Sequence, residues 1–274
     1  MSHPQLSIVI PAYNESARIE ATLARVMSCV ESQGWDAEVL VIDDGSSDDT
    51  GAIVERWMDL FPRLHLVRNP GNRGKGYSVR NGLLQSAGEI VMFTDADLSA
   101  PMEEAGLLIA AIEAGADVAI GSRWMDRTRQ TIHQPLYRQV FGRCFNWITR
   151  RVMGLPFKDT QCGFKAFRRP AAQVIFRLQT IERWGFDPEL LFIARKLKYQ
   201  IEEVPVTWGH DERSRMSYLK DGMKMLEEMA VIRYNSLGGR YAKAIAAMKD
   251  TSGMVTAPVI HPHAVKAAAQ TQQP

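Results

Sequence analysis

Cysteine is scarce in this chain. Cys29, Cys144 and Cys162 are its three thiols, and no two stand close together. An odd, sparse set argues against a disulfide framework and for a reducing compartment. All three are expected as small buried or half-buried side chains, and no Cys/His spacing matches a zinc site. Charge of one sign is lacking as well. The formal net charge of +2 falls short of the basic excess that nucleic-acid binders carry, so no nucleic acid is expected as a partner. No run reaches the roughly 18 uninterrupted apolar residues of a spanning helix. The best candidate, GLLIAAIEAGADVAIG, is broken by Glu113 and Asp117. The start, MSHPQLSIVIP, has no basic segment before a long apolar core and reads as a first strand, not a signal peptide. Any membrane contact is therefore expected from one side. The G-x-G-x-x-G fingerprint is absent, which argues against a dinucleotide cofactor, and so is the G-x-x-x-x-G-K-[ST] phosphate loop.

Apolar residues make up 46% and charged residues 23% of the 274 positions, enough for one large globular domain or two small ones. LSIVIP reads as a buried strand, and residues 15–30 place Ile19, Leu23, Val26, Met27 and Val30 at helical spacing. AEVLVID, LHLVR, EIVMFTD and ADVAIGSR read as further strands. Between them, TGAIVERWMDLF (capped by side chains from Asp48 to Thr50), GYSVRNGLLQSA, and the segment from Pro101 to about Ala114 read as helices. Strand–helix alternation with doubly apolar strands predicts an α/β fold, a mostly parallel sheet covered on both faces. Ligands of such sheets sit outside the carboxyl ends of the strands. The strand ends PAYNE, DDGSSDD, NRGKG, DADLS and GSRW are thus expected to converge on one crevice.

The second half differs. Residues 134–153 carry a long helical pattern, and FKDTQCGFKAFRR reads as an irregular loop leading into a short strand. Residues 187–198 read as a helix, IEEVPVTW as a strand and 217–235 as a last helix. Residues 250–274 lose periodicity, become rich in Ala, Gln and Pro, and are expected to be a disordered tail.

The stretch VMFTDADLSAP runs from an apolar strand straight into Asp95 and Asp97. Two carboxylates at i and i+2 can approach one Mg²⁺ or Mn²⁺, hard cations that often complete their shell with substrate phosphates. The plainer alternative is an Asx turn or a cap for the next helix. Position at the ligand edge, beside four other polar strand ends, favours the metal reading. Asp44 could accept hydrogen bonds from a base or ribose. NRGKG sets two glycines around Lys75 ahead of a helix, and exposed N–H groups with an ammonium suit a phosphate.

Together SIVIPAYNE, VIDDGSSDDT, NRGKG, FTDADLSAP and IGSR resemble the inverting glycosyltransferases of family two, with the GT-A fold, over about residues 6–125. KDTQCGFKAFRR resembles the dolichyl-phosphate glucosyltransferases and, more loosely, the dolichyl-phosphate mannose synthases, which extends the resemblance to about Tyr234. The resemblance implies a Rossmann-like domain over 1–249, with a nucleotide-sugar half (1–125) and an acceptor half (126–249). It implies that Pro11, Tyr13 and Glu15 line the nucleoside pocket, that Asp44 holds the base or ribose, and that Asp95 and Asp97 hold the metal, with Asp97 the stronger ligand. Arg123 would meet the acceptor or donor phosphate. Mannose synthases place a glutamine two residues after the second aspartate. Here that place is Ser99, a weaker ligand or one acting through water. Their R-x-G-x-S-K is replaced by ERSRMSYLK, so Arg213, Arg215 and Lys220 are approximate counterparts for holding the acceptor phosphate.

The implied reaction moves a hexose, glucose from UDP-glucose first, onto a polyprenyl phosphate. The alternatives are a GDP-mannose donor, or a soluble, small phosphorylated acceptor. On a helical wheel of residues 134–153, Leu136, Val140, Phe141, Cys144, Phe145, Trp147, Ile148 and Val152 share one half, and Arg138, Arg143 and Arg150 the other. A basic, aromatic amphipathic helix can lie in a bilayer interface. With the resemblance to enzymes of lipid acceptors, this gives an expectation of peripheral attachment to the cytoplasmic face of a membrane. Asp159, Gln161 and Lys165 are polar enough to meet a sugar or phosphate. Trp184 and Asp187 are open between sugar contact and, for Asp187, helix capping.

Overall fold

A computed structural model of the chain describes residues 4–132, 136–209 and 218–251. In chain order the elements are β1 (Leu6–Ala12), α1 (Ile19–Gln33), β2 (Ala37–Asp43), α2 (Thr50–Met58), β3 (Leu64–Arg68), α3 (Lys75–Gln85), β4 (Ile90–Phe93), α4 (Ala105–Glu113) and β5 (Val118–Ser122). They continue with β6 (Gln130–Ile132), α5 (Leu136–Met153), β7 (Lys165–Arg168), α6 (Arg169–Leu178), α7 (Phe186–Lys196), β8 (Ile201–Pro205), β9 (Trp208–Gly209), α8 (Tyr218–Leu237) and α9 (Arg240–Thr251).

The main sheet has the order β3-β2-β1-β4-β7-β5-β8. Every neighbouring pair is parallel except the two that β7 makes, with β4 and with β5. The alternation read from the sequence explains the burial. In β1, Ile8 and Ile10 face one apolar layer and Val9 faces the other; in β2, Val39 and Val41 oppose Leu40 and Ile42. Successive side chains point to opposite faces, so a strand covered on both sides must be apolar throughout. One layer is completed by α1, α2 and α4. The other is completed by α3, α6 and α7, with inward residues of α5, α8 and α9. A stack of aromatics, Phe93 with Phe167 and Phe186, anchors the second layer under the end of β4.

Three expectations need correction. IEEVPVTW is not one strand, because β8 ends at Pro205, which has no N–H for a ladder, and Trp208–Gly209 joins β6 in a separate two-stranded sheet. The helix expected to be last is followed by α9, after Gly239 turns the chain at φ 71°, a conformation glycine adopts without a Cβ clash. Of the thiols, Cys29 and Cys162 are buried, but Cys144 is exposed on α5. Residues 252–274, most of the expected tail, lie outside the described residues.

β7 has a consequence for the site. Because it runs antiparallel, its first residue, Lys165, lies beside Phe93, the last residue of β4. The preceding loop, 158–164, is thereby delivered to the carboxyl edge of the parallel strands.

Candidate active site

β1 lies between β2 and β4, so the chain turns to opposite sides of it, and the crevice outside such a switch is where open α/β sheets bind ligands. The loops after β1 and β2 lock together there. Asn14 donates its N–H to Ser46 Oγ (2.9 Å) and accepts the Ser47 N–H on Oδ1 (2.8 Å). Asp48 accepts the N–H groups of Ser16 and Thr50. Burial alone would raise the Asp48 carboxyl, but these bonds and the Thr50 and Ser16 hydroxyls hold it down at about 2. Of the expected nucleoside-pocket residues, Pro11 is half-buried in β1 and Tyr13 is exposed. Glu15 pairs with Arg18 at 2.6 Å.

Asp44 is buried, and its carboxylate is turned toward the chain itself. Oδ1 accepts the Asn69 amide (2.8 Å) and the Arg73 N–H (3.0 Å), and Oδ2 accepts the Gly74 N–H (2.7 Å). Two of the N–H groups of NRGKG, those of Arg73 and Gly74, are thus held by Asp44. Gly74, at φ 110°, passes so close to Glu182 that a Cβ would lie 2.6 Å from its carbonyl oxygen. This turn starts α3 and aims Lys75 at the end of β4.

The acidic pair sits in a turn closed by the Leu98 N–H on Asp95 O (3.0 Å), with Leu98 buried at φ 47°, a left-handed pose uncommon outside glycine. Thr22 of α1 fixes the Ala96 carbonyl at 2.5 Å. Lys75 Nζ lies 2.5 Å from Asp95 Oδ1 and 5.5 Å from the centre of the Trp184 ring. Asp97 Oδ1 accepts the Ser99 N–H at 2.9 Å, so the backbone of Ser99 orients this carboxylate. Burial first, and then the Asp95 charge, push the Asp97 carboxyl up. Burial would lower the Lys75 ammonium, but Asp95, Asp187 and Asp97 outweigh it and raise it. The loop before β7 closes the far side. A Cβ on Gly163 would overlap the Asp95 carboxylate, lying 2.6 Å from its Cγ.

Sequence reasoning missed the pair beneath. Lys165 is fully buried; its Nζ donates to Asp187 Oδ1 and to the Cys162 carbonyl, both at 2.5 Å. Asp187 is not the N-cap of α7, since Gly185 holds that place. Burial raises the Asp187 carboxyl despite the opposing pull of Lys165 and Lys75. The available signal was a lysine between Phe164 and Phe167 in a buried strand, a charge that requires a partner.

Arg123, the residue after β5, is held by Asp159. Nε donates to Oδ2 at 2.6 Å and Nη2 to Oδ1 at 2.8 Å. The Trp124 and Trp208 rings flank the guanidinium, with centroids at 5.8 and 5.6 Å. Burial opposes the charge, but Asp159 shifts Arg123 further up, and Arg123 in return holds the buried Asp159 below the usual carboxylate range. Gln161, half-buried, donates its N–H to Asp159 Oδ1. Arg213 and Arg215 lie outside the described residues.

A family model, glycosyl transferase family 2, matches residues 7–176. The chain belongs to this family. A dolichyl-phosphate beta-glucosyltransferase of Trichomonas vaginalis is 33% identical over 77% of the chain and 68% of the relative. Its Saccharomyces cerevisiae counterpart by name is 35% identical over 86% of the chain and 76% of the relative. Among solved structures, glucosyl-3-phosphoglycerate synthase of Mycobacterium tuberculosis bound to UDP superposes with a TM-score of 0.61 at 20% identity, covering 84% of this chain and 80% of that one. The same synthase has been solved with Mn²⁺, UDP and its product. The seven-stranded sheet of this family-2 chain has the GT-A fold.

The acidic end of this glycosyltransferase fits a divalent cation. Asp95, Asp97 and Asp187 interact with Lys75 and Lys165. Lys75 pairs with Asp95 and Lys165 with Asp187, and Asp97 makes no such ion pair among the described residues. Asp95 Oδ1 is buried and has no well-aligned hydrogen bond, although the Lys75 ammonium is near. Among the described residues no three His, Cys, Asp or Glu side chains are placed to hold one metal ion together. The chain therefore offers two carboxylates, a set that suits a cation completed by phosphate oxygens and water.

The outer helices differ from the wheel's simplest outcome, an apolar half turned to the core. α5 turns Phe145, Asn146, Thr149 and Met153 inward, while Phe141, Val152 and Trp147 (57% exposed) face out, as does Cys144. On α8, Met223, Leu226, Tyr234 and Leu237 (81% exposed) recur at helical spacing along one exposed face. Arg143, Arg151, Lys224 and Arg233 are exposed on the same two helices. No helix among the described residues is long and apolar enough to cross a membrane.

Proposed function

We propose that this chain transfers glucose from UDP-glucose to a polyprenyl phosphate of the dolichyl type, with inversion at the anomeric carbon, at a membrane surface. The observation that carries the reading is the gathering of Asp95, Asp97 and Lys75 on one sheet edge with Arg123, cation-binding and cationic groups for two phosphates. The names of relatives 33–35% identical over most of the chain narrow the sugar and the acceptor.

Asp97 and Asp95 would hold Mg²⁺ or Mn²⁺, whose chemistry is to neutralise the departing diphosphate. Lys75, beside Asp95, adds a fixed positive charge where the leaving group gains negative charge. Asp44 keeps the Arg73–Gly74 turn in the shape that aims Lys75. Arg123 meets the acceptor phosphate, whose oxygen attacks the anomeric carbon from the face opposite the diphosphate. A carbon–oxygen bond forms to the acceptor, the bond to UDP breaks, and UDP leaves with the electron pair. A phosphate acceptor arrives ionised, so no side chain has to remove a proton. The exposed apolar and basic residues of α5 and α8 suit the boundary of an anionic bilayer. Free thiols support placement on its cytoplasmic face.

The test is a donor panel, UDP-glucose against GDP-mannose, with a short polyprenyl phosphate, Mg²⁺ or Mn²⁺, and isotope-labelled sugar. Labelled glucose in the lipid phase is expected. Transfer of mannose in preference, or of no sugar at all, would overturn the proposal.

A further inference from the structure

Asp159 is fully buried, yet its carboxylate is directed at one side chain that reaches the surface. Arg123 retains 21% exposure of its side chain, while that of Asp159 has none. Asp159 fixes both ends of this arginine. Besides the two bonds to the guanidinium, Oδ2 accepts the Arg123 backbone N–H at 3.1 Å. The loop carrying Asp159 is gripped from two further elements. Glu203 of β8 accepts the N–H groups of Lys158 (2.9 Å) and Asp159 (2.8 Å). Asn146 of α5 donates Nδ2–H to the Lys158 carbonyl (2.6 Å) and accepts the Thr160 hydroxyl on Oδ1 (2.9 Å). Trp147, the next residue of α5, is on the outer face. The helix that presents an aromatic outward also builds the support of the arginine at the sheet edge.

We propose that Asp159 is a positioning residue for the acceptor: it pre-sets the Arg123 guanidinium toward the anionic phosphate, and Asn146 and Glu203 hold Asp159 in place. The inference rests on the reading of glucosyl transfer to a phosphate acceptor. Arginine is a long, flexible side chain with a planar fork of donors. Fixing one edge of that fork on a buried carboxylate removes the ordering cost from acceptor binding. A polar support of this kind acts on acceptor affinity and leaves the donor cluster around Asp95 unchanged.

The test is a double-mutant cycle of Arg123→Lys and Asp159→Asn, with KM measured separately for UDP-glucose and for a short polyprenyl phosphate. Asp159→Asn is expected to raise the acceptor KM about tenfold and change the donor KM less than about twofold. In the Arg123→Lys background the same substitution should add less than about twofold, because coupled residues are not additive. Asn146→Ala should raise the acceptor KM in the same direction, by about threefold. Equal rises in both KM values, or losses that multiply in the cycle, would overturn the assignment. Should Asp159→Asn fail to fold, Asn146→Ala decides: a selective acceptor KM rise sustains the assignment, and an unchanged acceptor KM sinks it. A wild-type chain that transfers no glucose would sink the transfer reading itself, and this assignment with it.

Discussion

On the donor side of the sheet edge, the loops after β1 and β2 hold their shape through short bonds between polar side chains and backbone N–H groups, as at Asn14, Asp44 and Asp48. On the acceptor side, the loop before β7 uses ion pairs, Asp159 with Arg123 and Lys165 with Asp187, in which all but Arg123 are buried. The helices diverge in the same way. α1 and α3 bury their apolar residues against the sheet, while α5 and α8 leave aromatic and aliphatic side chains outside. One side is a cradle in which side-chain oxygens, those of Asp44 and Asp48 among them, hold backbone N–H groups. The other stakes its geometry on buried charge, where removal of one partner is far more damaging than loss of an exposed bond.

The largest effect is expected where the two sides meet. Asp97→Ala should lower glucosyl transfer by at least about a thousandfold, since it removes a ligand of the group that stabilises leaving-group charge; labelled-sugar transfer by a variant with unchanged circular dichroism checks it. Gly163→Ala, a change on the acceptor-side loop, should cost about a hundredfold by displacing Asp95, in keeping with the penalty for misplacements near 1 Å. Lys165→Met leaves Asp187 buried without its ammonium and should lower unfolding stability by about 3 kcal/mol, read from denaturant midpoints. A loss under about 1 kcal/mol would mean that the buried pair is not the stronger kind of support.

A smaller effect concerns the outer helices. Trp147→Asp with Leu237→Asp should weaken binding to anionic vesicles about tenfold or more, because each side chain forfeits apolar burial in the interface, while turnover of a short, detergent-soluble acceptor stays near wild type. Unchanged vesicle sedimentation would break the proposed contrast between the helices. The smallest effect belongs to the donor cradle. Asp48→Asn should lower Tm by about 2 °C near neutral pH, as suits a partly exposed carboxylate. Its folded value of about 2 lies below the unfolded value near 3.9. The stabilisation is therefore full above about pH 4 and is lost as pH falls toward 2, so the Tm gap between wild type and variant should close over that window.

Much of the architecture was legible. β1, β2, β4 and β5 were readable because strands buried on both faces are continuously apolar, and the carboxyl edge was readable because each of those strands ends in polar, flexible residues. Asp95 and Asp97 were legible as a pair. The direction of Asp44 was not: an aspartate after a strand looks the same whether it faces a ribose or the neighbouring turn, and the Arg73 and Gly74 N–H groups that claim it lie 29 and 30 residues on. For Asp187 the sequence leaves sugar contact and helix capping both open, because a carboxylate near a helix start suits either. Its partner across the core is visible only once β7 and α7 are side by side. α9 escaped notice because the double glycine before it reads as an end.

Sequence by itself determined the layered α/β fold, the ligand edge and the acidic pair, since these depend on local periodicity and on residues adjacent in the chain. The antiparallel insertion of β7 was decided by the tertiary structure alone. It carries Gly163 and Lys165 to the end of β4 and Asp159 to Arg123 after β5, and Asn146 and Glu203 then clamp the loop from a helix and an edge strand. Buried charges take their meaning from partners that only packing brings near, and no spacing in the sequence encodes which carboxylate will meet which cation.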